Sequence, residues 1–365
     1  MPAYTLTTRF AAASRPRAAA ILVIALALTG AFVFTSLTRD TTPPKLAPPA
    51  DDPESGNDFL LFRRLGEHVR AGENYHDAAF REMRAHGFPT GSPFNFRTPT
   101  YAWLLGALPN DIWGRGLLVF LGLAALGLNC LADQRELGLL RAVAAGFFFA
   151  GTAIWCLDPD GIYFQETWAS MLIAVSLGAY GLGWRAVAVG AGLLALFFRE
   201  LALPYCLLAG GLALWHRRRV EAGVWAIGLI AYGSFLAWHA SEVARRMTEA
   251  DVSRSDWLCF GGLKFDLVTA RMSEIFYAAP GWVVALYLSL SLLGFAGWRS
   301  ERGTLAAGTV FAFLAAFTVV GNPYNGYWGL LYVPVLAFGV VRAPTALVDL
   351  CRTVARAPAT LLRQS

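Results

Sequence analysis

The sequence predicts an all-α, polytopic membrane protein, and three observations carry that prediction. Of the 365 residues, 56% are hydrophobic and only 15% charged, with a mean hydropathy of +0.48; soluble domains run near a quarter charged. About ten apolar runs follow one another along the chain, most of them long enough for a membrane helix. The basic residues fall largely between those runs, which is what membrane topology requires. That distribution explains the formal charge of +5 and the pI near 9.0 without a nucleic-acid partner. The five cysteines (Cys130, Cys156, Cys206, Cys259, Cys351) lack metal-ligand spacing and read as small buried hydrophobes.

Residues 1–17 are short and basic, and Ala18–Leu37 follows without a charge. That length fits an uncleaved first helix with its N terminus in the cytoplasm, and no small-residue cleavage site stands out. A Pro-rich tether (Thr41-Thr-Pro-Pro-Lys45, then Ala47-Pro-Pro49) opens an outer loop over 38–112, the longest polar insertion of the chain. Within it Asp58 starts an amphipathic segment: Phe59, Phe62, Leu65 and Val69 recur at helical spacing, and Arg63, Arg64, Glu67 and Arg70 take the other face. Gly72-Glu-Asn-Tyr75 closes this segment, and Arg97-Thr-Pro99 leads back toward the bilayer.

Further runs cover Trp113–Leu131, Gly138–Leu157, Thr167–Trp184, Ala186–Phe198, Leu201–Trp215, Val220–Trp238, Gly281–Trp298, Thr304–Val320 and Trp328–Val341. Ala186–Trp215 could be one helix with Arg199 and Glu200 at its middle, or two short ones. Two keep Arg217, Arg218 and Arg219 on the cytoplasmic side, spare an ion pair from the hydrocarbon, and agree with Pro204. On that topology all 25 acids lie outside except Asp133, Glu136, Glu221, Glu301 and Asp349, so any chemistry is expected on the extracytoplasmic face. A second outer loop spans 239–280. The transmembrane domain is set at 18–341, with a cytoplasmic tail at 342–365.

No nucleotide-binding, metalloprotease or nucleophile-elbow motif occurs, and no duplicated half with paired broken helices is visible. Asp58 reads either as a plain helix N-cap or as a general base at the membrane surface. Glu166, ending the loop from Asp158, suits a helix N-terminus or a second acidic site position. Asp158 and Asp160 fit a turn. Arg199 and Glu200, ionisable inside an apolar stretch, form a functional hypothesis, with Arg199 suited to a phosphate or simply paired to Glu200. Arg97 and Lys264 are further phosphate candidates. Asn325 and Tyr327, in the ring- and amide-rich connection Gly321–Trp328, could contact a sugar or mark a helix end. His68, His76 and His86 read as solvated loop histidines.

These features together resemble the GT-C superfamily of polyprenyl-phosphate-sugar-dependent membrane glycosyltransferases, particularly its bacterial mannosyltransferase- and arabinosyltransferase-like branches. The resemblance rests on an outer loop with an early Asp58, an amphipathic helix, Gly72-Glu-Asn-Tyr75 and Arg97-Thr-Pro99. It also includes Gln165-Glu166-Thr-Trp168, Phe198-Arg199-Glu200 before Pro204, and Asn325-Gly-Tyr-Trp328 before Pro334. It spans roughly Ala18 to Val341, through short motifs, and departs from the paired-acid pattern of protein O-mannosyltransferases because Asp58 stands alone. The resemblance implies a GT-C-like bundle in the inner (plasma) membrane that works on the cell envelope. It implies inverting transfer of a hexosyl or pentosyl group from a polyprenyl phosphate to a hydroxyl of a glycan, lipid or protein. Asp58 would be the base and Glu166 an orienting acid. Tyr75, Arg97, Arg199, Glu200, Lys264, Asn325 and Tyr327 would bind substrate. No cofactor is required in the simplest version, and a divalent metal stays open. The rival expectations are a transporter or flippase for a lipid-linked or anionic substrate, and a non-catalytic scaffold.

Overall fold

A computed structural model describes residues 8–43, 58–251 and 259–356; most of the Pro-rich tether, Asp256 and both extreme termini lie outside the described residues. The first helix, α1 (Arg15–Thr38), begins with Pro16 in its first turn, where a missing N–H costs nothing, and carries no charge between Arg17 and Arg39. The polar insertion folds as two amphipathic helices, α2 (Asp58–Arg70) and α3 (Tyr75–Ala85), and a short apolar one, α4 (Thr100–Ala107). Gly72 turns the chain between α2 and α3 at φ +88°, a conformation that favours glycine. Asn74 then caps α3 by accepting from His76 N and Asp77 N. Burial of Leu61, Phe62 and Leu65 seats α2 on the bundle, leaving Arg63 and Glu67 exposed while Arg70 reaches Asp111 at 2.7 Å.

The bundle continues through α5 (Asp111–Leu137), α6 (Leu139–Ala153), α7 (Gln165–Leu182), α8 (Arg185–Phe198), α9 (Leu203–Trp215) and α10 (Arg219–Ala244). After two short outer helices, α11 (Gly262–Ala270) and α12 (Glu274–Tyr277), come α13 (Gly281–Gly297), α14 (Glu301–Val319), α15 (Val333–Val340) and α16 (Ala343–Ala355). Among the described residues there is no strand. The protein is an all-α polytopic membrane protein.

Helix lengths correct the expected count of about ten spans. Among the described residues, α1, α5, α6 with its short extension to Cys156, α10 and α14 are long and apolar enough to cross a bilayer, and α15 with α16, bent by 47°, would make a sixth. The other apolar runs are helical too, but shorter or interior. α8 and α9 are separate helices, broken at Arg199–Ala202, as the arginine distribution required. In α7 nearly every side chain is buried, so it is the bundle's central post rather than a lipid-facing span. The run Trp328–Val341 is not one helix, since 323–331 is a 3-10 segment and α15 has eight residues. The expected tail instead folds as α16, against α1 and α13. Cys259 and Cys351 are exposed, contrary to the uniform burial expected of the cysteines.

Small residues let these helices approach. A Cβ on Gly294 of α13 would sit 1.9 Å from the Gly339 carbonyl oxygen of α15, so only glycine permits that crossing. Charge gathers at both ends of the bundle. At one end Asp133 accepts from Arg302 (2.8 Å) and Arg342 (2.7 Å), and Glu136 accepts from Arg342 (2.7 Å) and Trp298 Nε1 (2.9 Å). That network ties α5 to α14 and to the α15–α16 junction. The opposite end carries α2, α3, α4 and the site.

Candidate functional site

Helix ends and breaks bring the site together. Asp58 is the first residue of α2, Glu166 the second of α7, and Arg199 and Glu200 occupy the break between α8 and α9. Arg97 lies on the extended stretch before α4, and Tyr327 lies in the 3-10 segment before α15. Residues separated by up to 269 positions in the chain thus meet at one end of the bundle.

The centre is a buried ion network. Arg199 donates from Nε to Glu166 Oε1 at 2.6 Å, and both side chains are 1% exposed. Its Nη1 pairs with Glu200, and its Nη2 is buried with no partner among the described residues. Arg97 approaches Glu200 at 3.6 Å and donates to the Tyr327 hydroxyl at 3.1 Å. The Asp58 carboxylate lies near enough to feel the Tyr327 hydroxyl together with Arg97, Glu166 and Arg199. Three carboxylates and two guanidinium groups therefore share one apolar-walled corner, bounded by Phe62 under Arg97, Phe164 against Tyr327, and Trp168 stacked on Phe198.

Burial and charge act differently on the two loop residues. Asp58 has its pKa pushed up, chiefly by burial, with the Glu166 carboxylate adding to it and Arg97 opposing it. Burial works against the charge on Arg97, yet Tyr327, Glu166, Glu200 and Asp58 outweigh it and raise Arg97 above its usual value. Asp58 can thus hold or release a proton, whereas Arg97 stays charged. Further buried polar atoms lack partners among the described residues, including both amide atoms of Gln165 and Thr167 Oγ1, which flank Glu166 in the chain. Such groups are costly to leave unsatisfied and fit a polar ligand.

Of the residues picked from sequence, Asp58, Glu166, Arg97, Arg199, Glu200 and Tyr327 converge. Tyr75 is near but has another task, since its buried hydroxyl donates to the Arg97 carbonyl oxygen at 2.7 Å and fixes that stretch. Asn325 lies half-buried two residues before Tyr327, at a local break in the 3-10 segment. Lys264 is exposed on α11, where its charge acts on Asp40 just beyond α1, and no contact joins it to the cluster among the described residues. Asp158 forms the expected turn, accepting from Asp160 N at 2.8 Å.

The histidines need correction. His68 lies on α2, half-buried and bonded to Glu73 (2.8 Å) and Glu82 (3.0 Å), and His86 caps α3. His76 is 1% exposed, with Nε2 3.0 Å from Nδ1 of His239, itself 1% exposed at the end of α10. His239 also reaches the Phe96 carbonyl oxygen at 3.4 Å, so the pair braces the Arg97 stretch from behind. Nothing local in the sequence could show a partner 163 positions away. Among the described residues no group of three or more His, Cys, Asp or Glu could hold a metal.

No family model matches this chain, and no curated protein matches it. It is similar to a solved structure, that of ArnT from Cupriavidus metallidurans in the apo state, with a TM-score of 0.48 and 14% identity. The likeness covers 90% of this chain and 60% of that one, so the chain spans less than two thirds of the length of that structure.

Proposed function

We propose that this chain is an integral membrane glycosyltransferase. It moves a sugar from a polyprenyl-phosphate donor to an acceptor hydroxyl, with inversion, on the extracytoplasmic face. The observation that carries the reading is the convergence of Asp58 with Glu166 and Glu200 around Arg97 and Arg199, an arrangement that pairs a proton acceptor with cations able to receive a phosphate. The motif resemblance of the outer loop and the short-helix break supports the same class. The arginine-rich connections at the opposite end support the sidedness.

In this reading the acceptor oxygen attacks the anomeric carbon while the bond from that carbon to the donor phosphate oxygen breaks. The hydroxyl proton passes to an Asp58 carboxylate oxygen. The electron pair of the broken bond leaves on the phosphate, where Arg97 donates hydrogen bonds and Arg199, with one free nitrogen behind it, adds positive charge. Glu166 holds Arg199 in place and orients the acceptor. Tyr75 keeps Arg97 in register, and Asn325 and Tyr327 face the sugar. A single displacement from the face opposite the leaving group inverts the centre.

The test is turnover of a panel of radiolabelled polyprenyl-phosphate sugars in membranes holding wild type or Asp58→Asn at equal folded protein. We expect labelled product and released polyprenyl phosphate from wild type, and a loss of two or more orders of magnitude in the variant. Equal turnover would remove Asp58 as the base. Lipid-linked sugar crossing the bilayer without transfer would replace the reading with a flippase.

A further inference from the structure

The end of the bundle opposite Asp58 holds a half-open cavity of about 630 Å³, counting its mouth. Arg141, Arg299 and Arg342 line it with Ser300, Thr8 and Trp298, and Glu136 is its one carboxylate. Glu136 is already engaged by Arg342 and by the Trp298 ring N–H, so it leaves the other cations uncompensated. Arg141 is half-buried and Arg299 exposed, and neither makes a hydrogen bond or ion pair with another described residue.

A second feature points the same way. Leu137 and Arg141 bracket the first turn of α6, whose start at Gly138 has no side-chain cap. The first amide of this turn to find an acceptor in the helix is Ala142, on the Gly138 carbonyl oxygen at 3.1 Å. Arg141 stands in this turn and lines the cavity together with Arg299, so free guanidinium groups share the cavity with the positive end of the α6 dipole, a combination that suits an anion with several oxygens. Next to Arg141, Leu139, Leu140 and Val143 are 65%, 84% and 59% exposed on the same helix. An apolar, lipid-facing surface thus runs directly from the basic mouth.

We infer that this cavity is a phosphate-binding site, filled by the headgroup of an anionic phospholipid whose acyl chains lie along Leu140 and Val143. Arg141 and Arg299 grip the phosphate oxygens, the positive end of the α6 dipole adds to the attraction, and Arg342 occupies Glu136. The bound lipid then bridges α6 to the segment between α13 and α14, beside the network that ties α5 to α14. This site is independent of the transferase chemistry, and its test does not read turnover.

The full-length protein, purified in neutral detergent, is titrated with phosphatidylglycerol, phosphatidylcholine or inorganic phosphate. Retained lipid is counted by native mass spectrometry and stability is followed by thermal unfolding. Phosphatidylglycerol is expected to bind and raise the unfolding temperature, and phosphatidylcholine to do neither. Arg141→Gln with Arg299→Gln should weaken the apparent affinity at least tenfold while leaving the lipid-free unfolding temperature unchanged. Arg299→Gln alone, at an exposed side chain without a partner, should show a smaller loss in the same direction. If inorganic phosphate alone matches the lipid and is lost in the variants, the phosphate site stands with a soluble ligand as its source. Equal response to both lipids, or an unaltered phosphatidylglycerol response in the double variant, overturns the inference.

Discussion

Replacing Arg199 by methionine probes the buried network most directly. The side chain is 1% exposed and bonds Glu166, also 1% exposed, at 2.6 Å. Its removal leaves the buried Glu166 carboxylate with no direct partner, and breaking a buried pair in this way costs about 3–5 kcal/mol. Arg97 remains close enough to feel the Glu166 charge. It also stays 3.6 Å from Glu200, which therefore keeps a partner. The lower end, about 3 kcal/mol, is therefore expected. Adding Glu166→Gln removes the unpartnered carboxylate and should recover about 2 kcal/mol of that loss relative to Arg199→Met alone. Equilibrium unfolding in mixed micelles, followed by circular dichroism, measures each variant. The double variant should be nearly as stable as wild type yet remain inactive, separating the pair's structural role from its part in transfer. A loss below about 1 kcal/mol for Arg199→Met, or no recovery in the double variant, would refute the view that burial without compensation sets the magnitude.

Three further outcomes are expected. Burial raises Asp58, so its folded form favours the protonated acid: this stabilising term is full at low pH and is lost as pH climbs through the raised pKa. A rate profile should accordingly show its acid limb above the ordinary carboxylate range, and Asp58→Asn should unfold at higher temperature than wild type at neutral pH. His76 is pushed down to about 4, first by burial and then by His239, so its contribution is present above about 6.5 and fades as pH falls toward 4. Thermal unfolding across that window should lose stability in wild type and lose less in His76→Gln. Gly294→Ala, placing a methyl 1.9 Å from the Gly339 carbonyl oxygen, should cost about 1–3 kcal/mol by forcing α13 from α15, measured by the same unfolding assay.

Much of this was legible in the sequence because composition and charge placement act over whole segments. The break at Arg199 could be read from where Arg217, Arg218 and Arg219 fall, together with Pro204. The amphipathic α2 declared itself through Phe59, Phe62, Leu65 and Val69. Tertiary proximity was less accessible. That Tyr75 serves the Arg97 backbone, or that His76 meets His239 in the interior, depends on how α3 docks against α10, which no local pattern encodes. Lys264 had the right charge, but α11 turns it outward near Asp40. Span counting also misled, because the apolar run Thr167–Trp184 reads like any other from sequence although it is buried in protein as far as Ala179.

The short helices α8 and α9 have 14 and 13 residues, about 21 and 20 Å at 1.5 Å per residue, against a hydrocarbon core of about 30 Å. Val187, Leu194, Leu207 and Leu214 are exposed along them, so this flank faces lipid. The acyl chains alongside must compress or tilt to match it, at a fraction of a kcal/mol per ångström of mismatch. A thinned hydrocarbon layer is therefore expected along this flank, beneath the Arg199 break. Membrane thickness becomes a variable of this molecule: shorter-chain lipids relax the deformation, longer-chain lipids deepen it, and the corner built on Arg199 and Glu200 feels the difference.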